Sequence, residues 1–158
     1  MKKVILSIFF VCAVATAAIA QPRAIGARLG YNVEFSYQHN MAPNWMFDLT
    51  AGATNYWSSW GRADVTMMFD WILNIHGGWN FYIGPGAGLS YYYSPHYDYD
   101  GHRLGVNVGG QLGFEYQFGI PLNISLDWRP MWNVLGFGHY DHYYGDFYGF
   151  ALGLRYRF

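Results

Sequence analysis

Residues able to do chemistry cluster in two short stretches. His96, Asp98, Asp100 and His102 alternate with tyrosines and a glycine in the first, and His139, Asp141 and His142 lie among tyrosines in the second. Together they hold four of the six histidines. Imidazole and carboxylate together ligate zinc or copper, and carboxylates suit calcium. The same composition also makes hydrogen-bonded aromatic loops beside lipid headgroups, with no metal. Ser58, Ser59 and Ser94 fall in or near such stretches and raise a second chemistry, a serine hydroxyl activated by histidine. A hydrolytic triad is identified by geometry rather than by sequence position, and no spacing here fixes one. Gly84-Pro85-Gly86-Ala87-Gly88 has the glycine density of a phosphate loop, but that motif requires a helix directly after it. A tyrosine-rich strand pattern follows instead, and alternate glycines more simply make room for a bulky neighbour such as arginine. The residues alone therefore point to no enzyme and no cofactor.

The elements that must position these residues are strands. Charged residues make up 12% of the chain and aromatic residues 22%. A soluble chain of 158 residues cannot enclose so much aromatic surface, whereas an outer wall bathed in lipid can display it. Alternation supports this reading. From Ala24 to Gln38 the odd positions are Ile25, Ala27, Leu29, Tyr31, Val33, Phe35 and Tyr37, and every charge sits on the even face. Similar segments run over 45–53, 63–74, 79–93, 103–118, 122–131 and 147–158. Backbone polar groups must be satisfied within the bilayer, which leaves helices or closed barrels, and no apolar run here is long enough for a helix. The expected fold is all-β: a transmembrane antiparallel up-and-down barrel, of eight strands because single-chain bacterial barrels have even strand numbers.

The polar face gathers Arg28, Glu34, Asp48, Asp70, Glu115, Asp127, Arg129, Arg155 and Arg157. An eight-stranded barrel is just wide enough for side chains to fill, and unpaired charge inside it is costly. These residues are expected to form a paired interior network, with a narrow solute channel as the competing reading.

Seven segments are visible where eight are required. The eighth boundary would fall near Gly30–Asn32, although unbroken alternation there argues against a tight hairpin. Pro85 and Pro130 lack a ladder donor, so a bulge or strand end is expected near each. Short connections at 38–44, 75–78 and 119–121 alternate with long ones at 56–62, 94–102 and 133–146, as periplasmic turns alternate with extracellular loops.

Lys2 and Lys3, the apolar stretch 4–14 and Ala18-Ile19-Ala20 read as a signal sequence cleaved after Ala20. Residues 21–158 then form the barrel domain. Cys12 leaves with the signal. Seven arginines against ten acids remain, a charge of −3 that argues against nucleic acid as a partner.

The final strand, Leu152-Gly153-Leu154-Arg155-Tyr156-Arg157-Phe158, resembles the terminal strand that outer-membrane barrels present to the insertion machinery, with Tyr156 and Phe158 as the signal. Arg28-Leu29-Gly30-Tyr31, Glu34 to His39, Trp79 to Leu89 and Ile120 to Pro130 resemble the small outer-membrane β-barrel family of porin-like and opacity-type proteins. That resemblance implies the bacterial outer membrane as location and assembly by the insertion complex, and supplies no catalytic residues. The functional expectation is a monomeric, non-enzymatic barrel contacting outer-membrane lipid, lipopolysaccharide or other surfaces. A narrow porin-like channel and a lipid-modifying enzyme are the alternatives.

Overall fold

The computed structural model describes residues 23–54, 61–93, 102–137, 145–147 and 149–158. They form ten strand segments: β1 Arg23–Gly30, β2 Val33–Ala42, β3 Trp45–Thr54, β4 Gly61–His76, β5 Trp79–Tyr93, β6 His102–Gln117, β7 Leu122–Trp128, β8 Met131–Phe137, β9 Gly145–Asp146 and β10 Phe150–Arg157. All pairings are antiparallel between neighbours from β1 to β6. β6 then pairs with both β7 and β8, and β10 pairs with β7 and with β1. β7 with β8, and β9 with β10, each make one position in the wall. The sheet is a closed barrel of eight strand positions.

Two wall positions are each built from two strand segments, and the first break has an identifiable cause. Pro130 offers no N–H, so the ladder lapses between β7 and β8, while the Gly110 N–H still donates to its carbonyl at 3.2 Å. Between β9 and β10 the Gly149 carbonyl accepts from the Arg129 N–H at 3.1 Å and from the Arg28 guanidinium at 2.9 Å. Pro85 behaves differently: it stays inside β5, opposite Gly110 of β6. The ladder towards β4 skips there but keeps its register, Met68 opposite Gly86 and Trp71 opposite Ile83.

The missing eighth boundary lies between β1 and β2. Ala27 pairs with Phe35 and Arg28 with Glu34, so the chain reverses around Tyr31 and Asn32. Every odd residue pairs with an odd one. Antiparallel partners share a face, so the alternation passes through the turn without a change of phase. That is why the reversal left no mark on the pattern. At the other end Gly77 and Gly78 both have positive φ (60° and 88°) in the turn joining β4 to β5, the conformation a tight hairpin requires and glycine adopts at no steric cost.

The burial pattern is inverted relative to a water-soluble protein. Arg28 is 3% exposed, Ser36 0% and Asp48 0%, whereas Leu29 is 51%, Phe35 58% and Leu126 59% exposed. Such a wall is stable only against an apolar solvent. Aromatic pairs band it: Trp45–Trp71, Phe47–Phe69, Phe81–Phe114 and Trp79–Tyr116 near the end where β1 begins and β10 ends, Trp128–Phe150 and Trp132–Phe147 towards the other. These are the interfacial girdles of a membrane barrel.

Inside, small residues admit large ones. A Cβ at Gly113 would come within 2.6 Å of the Tyr82 ring and 2.7 Å of the Asp127 Cβ. At Gly86 it would meet the Met68 side chain, so the neighbour given room there is a methionine and not an arginine. Met46, Ile72 and Tyr82 form a small apolar cluster in the otherwise polar lumen. Overpacking of this kind costs about 1–3 kcal/mol or more. Gly113→Val should therefore lower the yield of heat-modifiable folded barrel on gels. Gly119→Val, at a turn with nothing within 4 Å of the added atom, should fold as the parent does.

Candidate functional site

The lumen is built by the inward residues of all eight wall positions. Arg28 on β1 is its best-bound charge. Its Nε donates to Asp127 Oδ1 at 2.6 Å, its Nη1 to Glu34 Oε2 at 2.8 Å and its Nη2 to the Gly149 carbonyl. Tyr82 from β5 adds a hydroxyl donor to Asp127 Oδ2 at 3.1 Å.

The other two buried arginines are held mainly by neutral oxygens. Arg129 donates to Gln111 Oε1 at 2.8 Å and to Thr50 Oγ1 at 2.7 Å, while its nearest carboxylates, Asp48 and Glu34, stand at 3.6 and 3.7 Å. Arg155 donates to Ser36 and Ser125, both at 2.7 Å, with Asp48 at 3.5 Å. Glu115 accepts from the amides of Asn80, Gln117 and Asn123. Arg157, towards the terminal end, donates to Gln117 and to the carbonyls of Phe118 and Ile120, tying the last strand to the β6–β7 turn. Asp70 is fully buried, and neither of its oxygens has a hydrogen-bond partner.

A second polar cluster lies towards the loop end. Asp64 accepts from Arg62 Nε at 2.9 Å, from Ser90 and from Asn32, and Asn107 donates to Ser90 at 2.6 Å. Arg62 also stacks over the Tyr92 ring at 5.9 Å.

This interior is packed. A passage wide enough for water would wet the groups lining it, yet Asp48, Asp70, Asp127 and Arg155 are at most 2% exposed. A substrate of any size must therefore act from the outer wall or the rim. On the wall, Trp128 donates its indole N–H to the Phe147 carbonyl at 2.9 Å, where the ladder is broken.

Among the described residues, no serine hydroxyl is hydrogen-bonded to a histidine. Ser36, Ser90 and Ser125 are buried in the lumen and engaged as above, and His39 lies stacked 6.4 Å from Tyr37. No group of three His, Cys, Asp or Glu side chains among the described residues is placed to hold a metal ion. The metal candidates His96, Asp98, Asp100, His139, Asp141 and His142 lie outside the described residues, as do Ser58, Ser59 and Ser94, and His102 is described only as backbone. Tyr156 and Phe158 face outward, both more than half exposed. Asn32, Ser90, Gln111 and Tyr82 were not singled out from sequence. Their inward parity was the one available signal.

The fold is similar to that in the crystal structure of Neisserial surface protein A (NspA). The TM-score is 0.65 at 10% sequence identity, over 87% of this chain and 94% of that one. No relative is found among curated proteins. Residues 25–140 match the family model described as lipid A 3-O-deacylase (PagL). With the barrel geometry, this makes the chain an outer-membrane β-barrel of the bacterial type. It also corrects the expectation of a non-enzymatic barrel, because the matching family is one of deacylases. The sequence concealed this because the serines and histidines able to hydrolyse an ester carry no diagnostic spacing.

Proposed function

We propose a function from one premise: this chain belongs to the lipid A 3-O-deacylase (PagL) family. The protein is a lipid-modifying enzyme of the bacterial outer membrane that removes an ester-linked acyl chain from lipid A. The family match across residues 25–140, from β1 past β8, carries the reading. Two features of the structure support it. The packed lumen leaves no room for a substrate inside, and the apolar aromatic wall presents itself to acyl chains. Lipid A would approach within the membrane plane and meet the protein at the rim of the barrel where Thr54, Gly61, Tyr93, His102, Phe137 and Gly145 end or begin their strands.

Hydrolysis needs a nucleophile and a base there. The sequence of the connections between those strand ends offers Ser58, Ser59 and Ser94 with His96, His139 and His142, and His102 follows at the start of β6. The same histidines with Asp98, Asp100 and Asp141 keep metal binding at the rim as a lesser part of the proposal. The sheet closes on itself through the β1–β10, β10–β7 and β7–β6 pairings, which supports action as a monomer. The outward Tyr156 and Phe158 support delivery by the insertion machinery, after removal of residues 1–20.

Mass spectra of lipid A from cells with and without the protein test the reading. The expected result is a new species lighter by one 3-linked acyl chain, lost when the rim serines become alanine. An unchanged spectrum in cells shown to carry the folded barrel would refute it.

A further inference from the structure

One arginine stands apart from the lumen network. Of the arginines whose side chains are described, Arg28, Arg129 and Arg155 are buried inside, and Arg62 and Arg157 share their inward parity, opposite Thr54 and Ala24. Arg23 takes the outward parity, on the face of β1 that carries Ile25 and Leu29. Its partner across the β1–β2 ladder is His39, which follows Phe35 and Tyr37 on the outward face of β2. On its other side Arg23 exchanges both backbone hydrogen bonds with Phe158, at 3.1 and 2.8 Å. His39 pairs in turn with Phe47, and Phe47 with Phe69. One outward rung therefore sets two basic side chains next to each other between aromatic ones.

Among the described residues nothing answers this charge. Arg23 Nε and His39 Nδ1 are shielded from solvent, and neither has a hydrogen-bond partner. The carboxylates whose side chains are described, Glu34, Asp48, Asp64, Asp70, Glu115 and Asp127, all belong to the inward face. Basic groups directly opposite each other on a strand pair weaken it unless an anion lies between them. Arginine on the lipid face is costly at the bilayer midplane and tolerated near the interface. The Trp45–Trp71 and Trp79–Tyr116 pairs girdle this end of the wall, and Phe47–Phe69 lies on the Arg23–His39 rung itself. Such girdles mark headgroup depth, so both bases stand at the level of lipid phosphates.

We propose that Arg23 and His39 form a binding site for the phosphate of an anionic phospholipid, in the leaflet at the end where β1 begins and β10 ends. Short turns join the strands at this end, 43–44 between β2 and β3 and Gly77–Gly78 between β4 and β5, so it faces the periplasm. The guanidinium presents paired N–H donors to the phosphate oxygens, and the imidazole adds a ring N–H. Ile25 and Tyr37, paired one rung further into the membrane, meet the first acyl carbons. The Tyr37 ring lies parallel to the His39 ring at 6.4 Å. The bound anion converts two adjacent bases into a bridged pair. This site lies at the opposite end of the barrel from the rim where lipid A is proposed to react, so it stands or falls apart from the deacylase reading.

The test is native mass spectrometry of the refolded barrel from detergent micelles holding equal amounts of phosphatidylglycerol and phosphatidylcholine, with heat-modifiable gel mobility as the check on folding. The parent protein should retain phosphatidylglycerol several-fold more often than phosphatidylcholine. Arg23→Gln combined with His39→Gln should bring that ratio close to one. Arg62→Gln, which removes a cation from the loop end, should leave it unchanged. If the double variant does not fold, Arg23→Gln and His39→Gln singly should each lower the ratio part of the way. Equal retention of the two lipids by the parent, a preference that survives loss of both bases, or an equal fall with Arg62→Gln would each overturn the proposal.

Discussion

Replacing Arg28 with alanine is expected to destabilise the folded barrel by about 3–5 kcal/mol, because it strands two buried carboxylates. Asp127 and Glu34 receive their shortest charge-assisted bonds from this one guanidinium. Without it, Asp127 keeps the Tyr82 hydroxyl at 3.1 Å, and Glu34 keeps only a distant Arg129. The same substitution also frees the Gly149 carbonyl, which Arg28 holds where the ladder breaks between β9 and β10. Urea unfolding in lipid vesicles measures the effect. A triple replacement of Arg28, Glu34 and Asp127 by methionine, glutamine and asparagine should recover most of the loss, since removing all the charges together leaves none unpaired. A folded Arg28→Ala protein of parental stability would show that this cluster does not hold the barrel together.

The second large effect concerns the outer wall. Leu126→Arg should cost about 2–4 kcal/mol, the penalty for arginine on the lipid face near the bilayer midplane. Leu126 pairs with Leu152 and lies beside Ile124 and Leu154, in a level bounded by Tyr156 on one side and the Trp128–Phe150 stack on the other. Ile120, equally exposed but in the turn between β6 and β7, sits where the same change should cost about 0–1 kcal/mol. Equal penalties at both positions, by vesicle unfolding, would contradict the placement of the girdles.

Much of this fold was legible from the order of residues, because a membrane barrel writes its geometry as parity. Ile25 against Arg28, or Leu154 against Arg155, declares its side of the wall. What parity could not show was the reversal at Tyr31 and Asn32, since pairing odd with odd leaves the phase unchanged. Nor did it distinguish the two proline sites. Pro130 opens a gap in the wall, while Pro85 is absorbed into β5 opposite a glycine. Met68 and Tyr82 were equally hidden, being apolar residues on the polar face that fill the space left by Gly86 and Gly113.

The lumen charges could be named from sequence but not apportioned. Nothing in the spacing of Asp48, Asp70 and Asp127 says that one would be shared by two arginines, one left without a partner and one clamped by Arg28. The deacylase relationship was less legible still. It emerges from similarity spread along residues 25–140, whereas a hydrolytic site depends on a few side chains brought together by connections whose sequence states no geometry.

The most direct test is to incubate the refolded barrel with purified lipid A in vesicles and measure free fatty acid. The account predicts that water cleaves the 3-linked ester, releasing one acid and leaving a hydroxyl on the sugar, with loss of activity when the rim serines are replaced. Lipid A recovered with all its acyl chains, from vesicles containing folded protein, would contradict it.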